Sequence, residues 1–287
     1  MSNTSKLSIF PLLLISTIFT VLFSLTLLLF NLKMMVTPRF IQARFREANL
    51  YQPAAEQLRS VWLRDLEING GNHLEKALAQ SFKAEWLQEE VERNLNELGG
   101  YLSGRKTDLT LNLELGLVRE GVIAQLSVED EDKFEEIKQN LPERVDLLGQ
   151  AGLLGEEGSR QLYQLKMTVE SINLSLKILV FVLFFSLICF FLLRPIEEAG
   201  RWVGLTLLTA GLLLTLIVFI LRILVVIKLV PFLARQLTFT PEMIELGTRL
   251  IDKSLQTYLS LIQWQSVFVF VFGLLIILLT LVFKEKE

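Results

Sequence analysis

The stretch FILRILVVIKLVPFLAR, residues 219–235, sets Arg222, Lys228 and Arg235 into a run that is otherwise apolar. A charge inside a bilayer marks a functional path, whereas a charge at its edge is an anchor. The register of this stretch therefore decides how the chain is read. Upstream, the polar segment Arg194–Arg201, RPIEEAGR, makes the apolar helix begin near Trp202. About 20 residues at ~1.5 Å rise cross ~30 Å of hydrocarbon, so the span ends at Leu221. Arg222 then falls at the far interface, and Lys228 and Arg235 lie roughly 9 and 20 Å beyond it. On this register the three cations are interfacial lipid anchors, and Pro231 ends or kinks the helix. On the competing register, Arg222 and Lys228 sit in the hydrocarbon and mark a transport path.

Working outward, three further uncharged apolar runs appear: Leu7–Leu32, Ile178–Leu193 and Ser254–Phe283. They account for a mean hydropathy of +0.47, with 52% hydrophobic residues among 287. The Ile178–Leu193 run is short, but it extends back through Ser171–Leu176 with Lys177 free to snorkel. The expected fold is an α-helical integral membrane protein with four transmembrane helices at 7–32, 171–193, 202–221 and 264–283. The first apolar run is too long for the core of a cleaved signal peptide, and it reads as a retained signal-anchor. Residues 1–6 and 284–287 are tails, and 194–201 is a short turn. Residues 222–263 form a protruding helical hairpin, so that helices two to four extend as a stalk.

The segment 33–170 reads as a mainly helical domain with a small β element. Thr37-Pro38 is a helix cap followed by proline at the first helical position, and Thr240-Pro241 repeats that signal before the fourth span. A second segment starts at Tyr51-Gln52-Pro53, and Asn69-Gly70-Gly71-Asn72 marks a turn. From His73 to Leu98 a single amphipathic helix is expected, with Leu74, Leu78, Phe82, Trp86, Leu87, Val91, Leu95 and Leu98 on one stripe. Gly99-Gly100 is expected to stop it. Residues 108–115 alternate, with Leu109, Leu111, Leu113 and Leu115 to one side, which is the period of a half-buried strand. Val122–Val128 is its expected partner, and 130–141 is helical again.

Charge sets the orientation argument. Lys33–Lys177 carries 18 Lys/Arg against 24 Asp/Glu, an acidic balance without the basic footprint of a nucleic-acid binder. Counted near the span ends, Lys and Arg favour a cytoplasmic loop. Long loops, however, translocate largely regardless of charge, and Lys6 before a long apolar segment favours termini inside. The expected arrangement is a bacterial plasma-membrane protein with cytoplasmic termini and residues 33–170 extracytoplasmic.

Signals of chemistry are sparse. His73 is the single histidine and Cys189 the single cysteine, so no intramolecular disulfide can form and a transition-metal site lacks ligands. The acidic run Glu129–Asp132 with Glu135-Glu136 lacks the alternating ligands of a calcium loop and reads as a helix start. No phosphate-binding loop or nucleophile elbow appears. No catalytic residue, cofactor or metal is expected. Gly204 and Gly211, seven apart, suit close helix packing. Trp62, Phe82 and Trp86 are either domain core or a partner surface, with core the better fit.

The Thr-Pro helix after the first span, Tyr51, Trp86-Leu87-Gln88, Tyr101-Leu102-x-Gly104 and the strand Leu109–Leu115 resemble uncharacterised bacterial four-span membrane proteins with a large loop domain between spans one and two. The resemblance covers about residues 7–120 and, more loosely, the last three spans, and it implies no functional residues. The expected function is that of a non-enzymatic membrane protein. Its partners are membrane lipids and a protein, an envelope component or another copy of itself, in a scaffold, accessory or sensor role. The alternative is a subunit of an oligomeric channel or transporter, with Thr206, Thr209 and Thr215 lining a path between protomers.

Overall fold

The computed structural model describes residues 9–65, 72–125, 141–150, 156–224 and 241–284. In chain order its elements are α1 (Ile9–Met35), α2 (Pro38–Glu47), α3 (Tyr51–Asp65), α4 (Asn72–Ser81), α5 (Ala84–Leu102), β1 (Asn112–Glu114), α6 (Gly116–Ile123), β2 (Arg144–Asp146), α7 (Leu147–Gln150), α8 (Glu156–Leu193), α9 (Ile196–Leu224) and α10 (Pro241–Lys284). Four of them, α1, α8, α9 and α10, are long and apolar enough to cross a bilayer. The chain is an integral α-helical membrane protein. It divides into two compact units, one from Met1–Met35, Ser171–Val230 and Leu255–Glu287, the other from Val36–Glu170 and Pro231–Ser254.

The apolar unit turns its large side chains outward. Phe181 is 71% exposed and Trp264 73%, an arrangement that suits lipid and not water. Its buried residues include the polar Ser24, Asn31, Thr206 and Ser266. Lipid offers no hydrophobic drive between helices, so backbone proximity and polar pairs must hold them. Both are present. A Cβ added to Gly211 would lie 2.7 Å from the Ser266 carbonyl oxygen and the Phe270 nitrogen. One added to Gly273 would lie 2.6 Å from the Leu208 nitrogen and 2.7 Å from the Gly204 oxygen. Glycine is the residue that lets α9 and α10 touch backbone to backbone. Ser16 and Thr206 share a hydrogen bond of 2.7 Å, and Thr215 and Ser266 one of 3.0 Å. The Asn31 amide donates to Gln265 Oε1 at 2.6 Å, and Gln265 returns a bond to Asn31 Oδ1 at 3.3 Å. Each such pair contributes about 0.6 kcal/mol in a membrane. Phe19 packs edge-on against Phe190, joining α1 to α8.

The connection between α8 and α9 is shorter than the expected turn, because helix ends at Leu193 and resumes at Ile196. The Pro195 carbonyl takes the Ala199 N–H, and Arg194 pairs with Glu198. α10 runs unbroken for 44 residues, about 66 Å at the helical rise, twice the thickness of hydrocarbon.

In the second unit, Thr37 caps α2 through its hydroxyl and Pro38 takes the first helical position. The single helix expected over His73–Leu98 is two helices. Lys83, at ψ 152°, is extended between α4 and α5. The apolar stripe nevertheless continues across the break, since Phe82 meets Trp86 edge-on at 5.5 Å. The expected stop at Gly99-Gly100 is also corrected, because α5 continues to Leu102. A Cβ on Gly99 would sit 2.2 Å from Pro38, so this glycine serves the approach of α2 and α5.

The expected strand over 108–115 contracts to β1, and the start of its expected partner Val122–Val128 is helical at Val122 and Ile123, with 126–128 outside the described residues. Val118 and Val122, four apart, are buried on α6, and their helical spacing overrides the strand preference of valine. β1 pairs antiparallel with β2, with Leu113 opposite Val145. The other edge of β1 is closed by side chains of α5. Asn94 accepts from the Asn112 N–H at 2.9 Å and donates to its carbonyl at 2.8 Å, and Glu90 accepts from the Glu114 N–H at 2.9 Å. Glu90 is 5% exposed and is neutralised by Arg93. Leu78, Phe82, Leu113, Leu115, Val122 and Leu141 form the core above this ribbon.

Replacing Gly211 by valine should force α9 from α10 and destabilise the chain by about 1–3 kcal/mol in mixed-micelle unfolding followed by circular dichroism. Gly116→Ala, where an added Cβ meets nothing within 4 Å, should instead be neutral or gain about 0.4–1 kcal/mol. Equal effects from the two would contradict the packing described.

Candidate binding cleft

A cleft of about 550 Å³ opens in the second unit between Arg46, Asn49, Tyr51, Gln52, Ala84 and Gln88. Its shape follows from the turn between α2 and α3. Asn49 adopts φ 49°, a left-handed conformation that asparagine tolerates better than most residues. The Leu50 N–H then returns to the Phe45 carbonyl. This turn buries Leu50 and packs the Tyr51 ring 5.5 Å from Phe45. Gln52 opens onto the cleft from the first turn of α3, and Gln88 closes it from α5.

Glu92 lies behind the cleft and organises it. Its Oε1 accepts from Arg46 Nε at 3.0 Å, Arg46 Nη2 at 2.5 Å, Gln88 Nε2 at 2.9 Å and the Tyr51 hydroxyl at 3.5 Å. Hydrogen bonding from Arg46 holds the Glu92 carboxyl below its ordinary range and raises the Arg46 guanidinium in turn. Burial, with the Glu92 charge beside it, pushes the Tyr51 phenol up to about 12. All three groups thus keep one protonation state across neutrality, whereas a general acid or base works best with its pKa near ambient pH. The arrangement presents fixed donors and acceptors on a charge-compensated base, which is suited to recognition.

Of the residues singled out in the sequence, the described ones lie elsewhere. Phe82 is 4% exposed in the core. Trp86 packs on that core and donates its indole N–H to the Glu114 carbonyl at 3.3 Å. Arg222 is exposed in the last turn of α9. Lys228, Arg235, the acidic run 129–136 and the Trp62 and His73 side chains lie outside the described residues. Thr206, Thr209 and Thr215 all commit their hydroxyls within the apolar unit. Thr206 donates to the Trp202 carbonyl, Thr209 to the Thr206 carbonyl and Thr215 to the Gly211 carbonyl. No local motif marks the cleft. Arg46 and Glu92 are 46 positions apart, and only the packing of α2 on α5 brings them together. No protein-family model, curated protein or solved structure matches the chain.

The pH dependence is specific. A carboxyl whose folded pKa is depressed adds stability above its unfolded value, near 4.5, and that stability is lost as pH falls through the folded value. A phenol raised from 10.0 to about 12 adds stability below 10 that is lost as pH climbs between those two values. In thermal melts of the full chain in detergent, Glu92→Gln should flatten the acid limb below about pH 4.5, and Tyr51→Phe should flatten the alkaline limb. Variants that keep both limbs of the parent would refute the assignment.

Proposed function

We propose that the chain is a non-enzymatic, membrane-anchored binding protein of a bacterial plasma membrane, with residues 33–170 extracytoplasmic. The observation that carries this reading is the cleft over Glu92, where uncharged hydrogen-bonding side chains surround an internally paired Arg46. Asn49, Gln52 and Gln88 offer both donors and acceptors, and the Tyr51 ring offers an apolar wall. Such a lining matches a polar, uncharged segment of a partner protein, an envelope component or a second copy of the chain. Because Arg46 is already neutralised by Glu92, a strongly acidic ligand gains little there. The role is accordingly that of a scaffold, accessory or sensor subunit.

A photo-crosslinking residue placed at Gln52 in living cells tests this reading. It should yield one discrete adduct, at the mass of a partner or of a dimer, that is absent when the probe stands at the exposed Asp108. No adduct from Gln52, or the same adducts from both positions, would defeat it.

A further inference from the structure

A groove of about 850 Å³ runs along the apolar unit between α1 and α8. Its wall is formed by Leu27 and Phe30 from one helix and by Leu176 and Val180 from the other. Lys33 and Lys177 line the same groove. On α1, Phe30 and Lys33 are three apart. On α8, Asn173, Leu176, Lys177 and Val180 recur at the spacing of one helical face. The chain leaves its first apolar segment at Lys33 and enters its second at Lys177, so both lysines stand at the same end of the groove. Both are exposed, and neither has an ion-pair partner among the described residues. Beside them the Asn173 side-chain oxygen is buried without a hydrogen-bond partner.

We infer that this groove binds one anionic glycerophospholipid whose head group carries a hydroxyl donor, as in a phosphatidylglycerol. Three features select it. The apolar walls let an acyl chain lie in the groove without exposing polar groups to it, so that the head group decides which lipid is held. Two unpaired ammonium groups at the interface call for a phosphate, which lysine binds as a point charge. The unsatisfied Asn173 oxygen calls for a donor, and a head-group hydroxyl supplies one without adding positive charge. An ethanolamine or choline head group would instead bring a cation against Lys33 and Lys177. The site is distinct from the cleft over Glu92 and stands whether or not that cleft binds a partner.

The test is native mass spectrometry of the full chain, released from neutral detergent after titration with dioleoyl phosphatidylglycerol or dioleoyl phosphatidylcholine. The wild type should retain one phosphatidylglycerol in preference to phosphatidylcholine. The double variant Lys33→Ala/Lys177→Ala should lose roughly 30-fold in that preference, the weight of two lysines near a lipid surface. Lys33→Arg/Lys177→Arg should retain most of it, which separates loss of charge from loss of fold. Asn173→Leu should abolish the preference for phosphatidylglycerol over dioleoyl phosphatidic acid methyl ester, which has the phosphate but no head-group hydroxyl. Equal retention of the two lipids by the wild type, or an undiminished preference in the alanine variant, overturns the inference.

Discussion

The apolar unit depends on one contact above the others, the seam where α9 and α10 meet through Gly204, Gly211 and Gly273. In lipid the outward face of a helix is as well solvated as its inward face, so leucine on leucine gains little. What does gain is removal of the side chain altogether, which lets peptide groups approach to van der Waals distance. Around this seam the unit turns many large apolar side chains outward and sets a few polar pairs among its buried apolar residues. Thr215 and Ser266 bond beside Gly211, Ser16 and Thr206 tie α1 to α9, and Asn31 and Gln265 tie α1 to α10. Hydroxyl side chains are tolerated there because Thr206 and Thr215 donate to the carbonyls of Trp202 and Gly211 on their own helix while accepting from Ser16 and Ser266. With the glycines replaced by larger residues, these pairs would be drawn out of reach together.

The second unit solves a different problem, that of a short ribbon with few strands. Two three-residue strands are marginal alone, and an open edge invites pairing with another chain. α5 answers both through Asn94 and Glu90, which satisfy the backbone of β1 from the side. The same helix carries Gln88 and Glu92 to the cleft. Its register therefore fixes the ribbon on one stretch and the floor of the cleft on the next, and Gly99 against Pro38 sets how near α2 may come.

Much of this was legible in the sequence where the signal is local. Four apolar runs marked the four long helices. Thr37-Pro38 and Pro241 marked helix starts, and Gly204 with Gly211 marked close packing. The failures arose where a local pattern admits two structures. The stripe from Leu74 to Leu98 reads as one helix because Phe82 and Trp86 fall on one apolar face, yet an extended Lys83 separates them. Val122, expected to open a strand, suits one by residue type but lies with Val118 on a helical face. Contacts across long separations left no trace: Asn31 with Gln265, Arg46 with Glu92, Asn94 with Asn112. Thr206, Thr209 and Thr215 were visible as polar groups among apolar ones, but their partners were not, so a path between protomers remained open in the sequence alone.

Which side of the membrane the second unit faces decides what can reach the cleft, and one measurement addresses it directly. Cys189 is replaced by serine, a single cysteine is placed at the exposed Thr110, and intact cells are treated with a membrane-impermeant maleimide. Labelling before lysis is expected, with the cleft outside the cytoplasm. Labelling only after lysis would contradict it and place both the cleft and its partner in the cytosol.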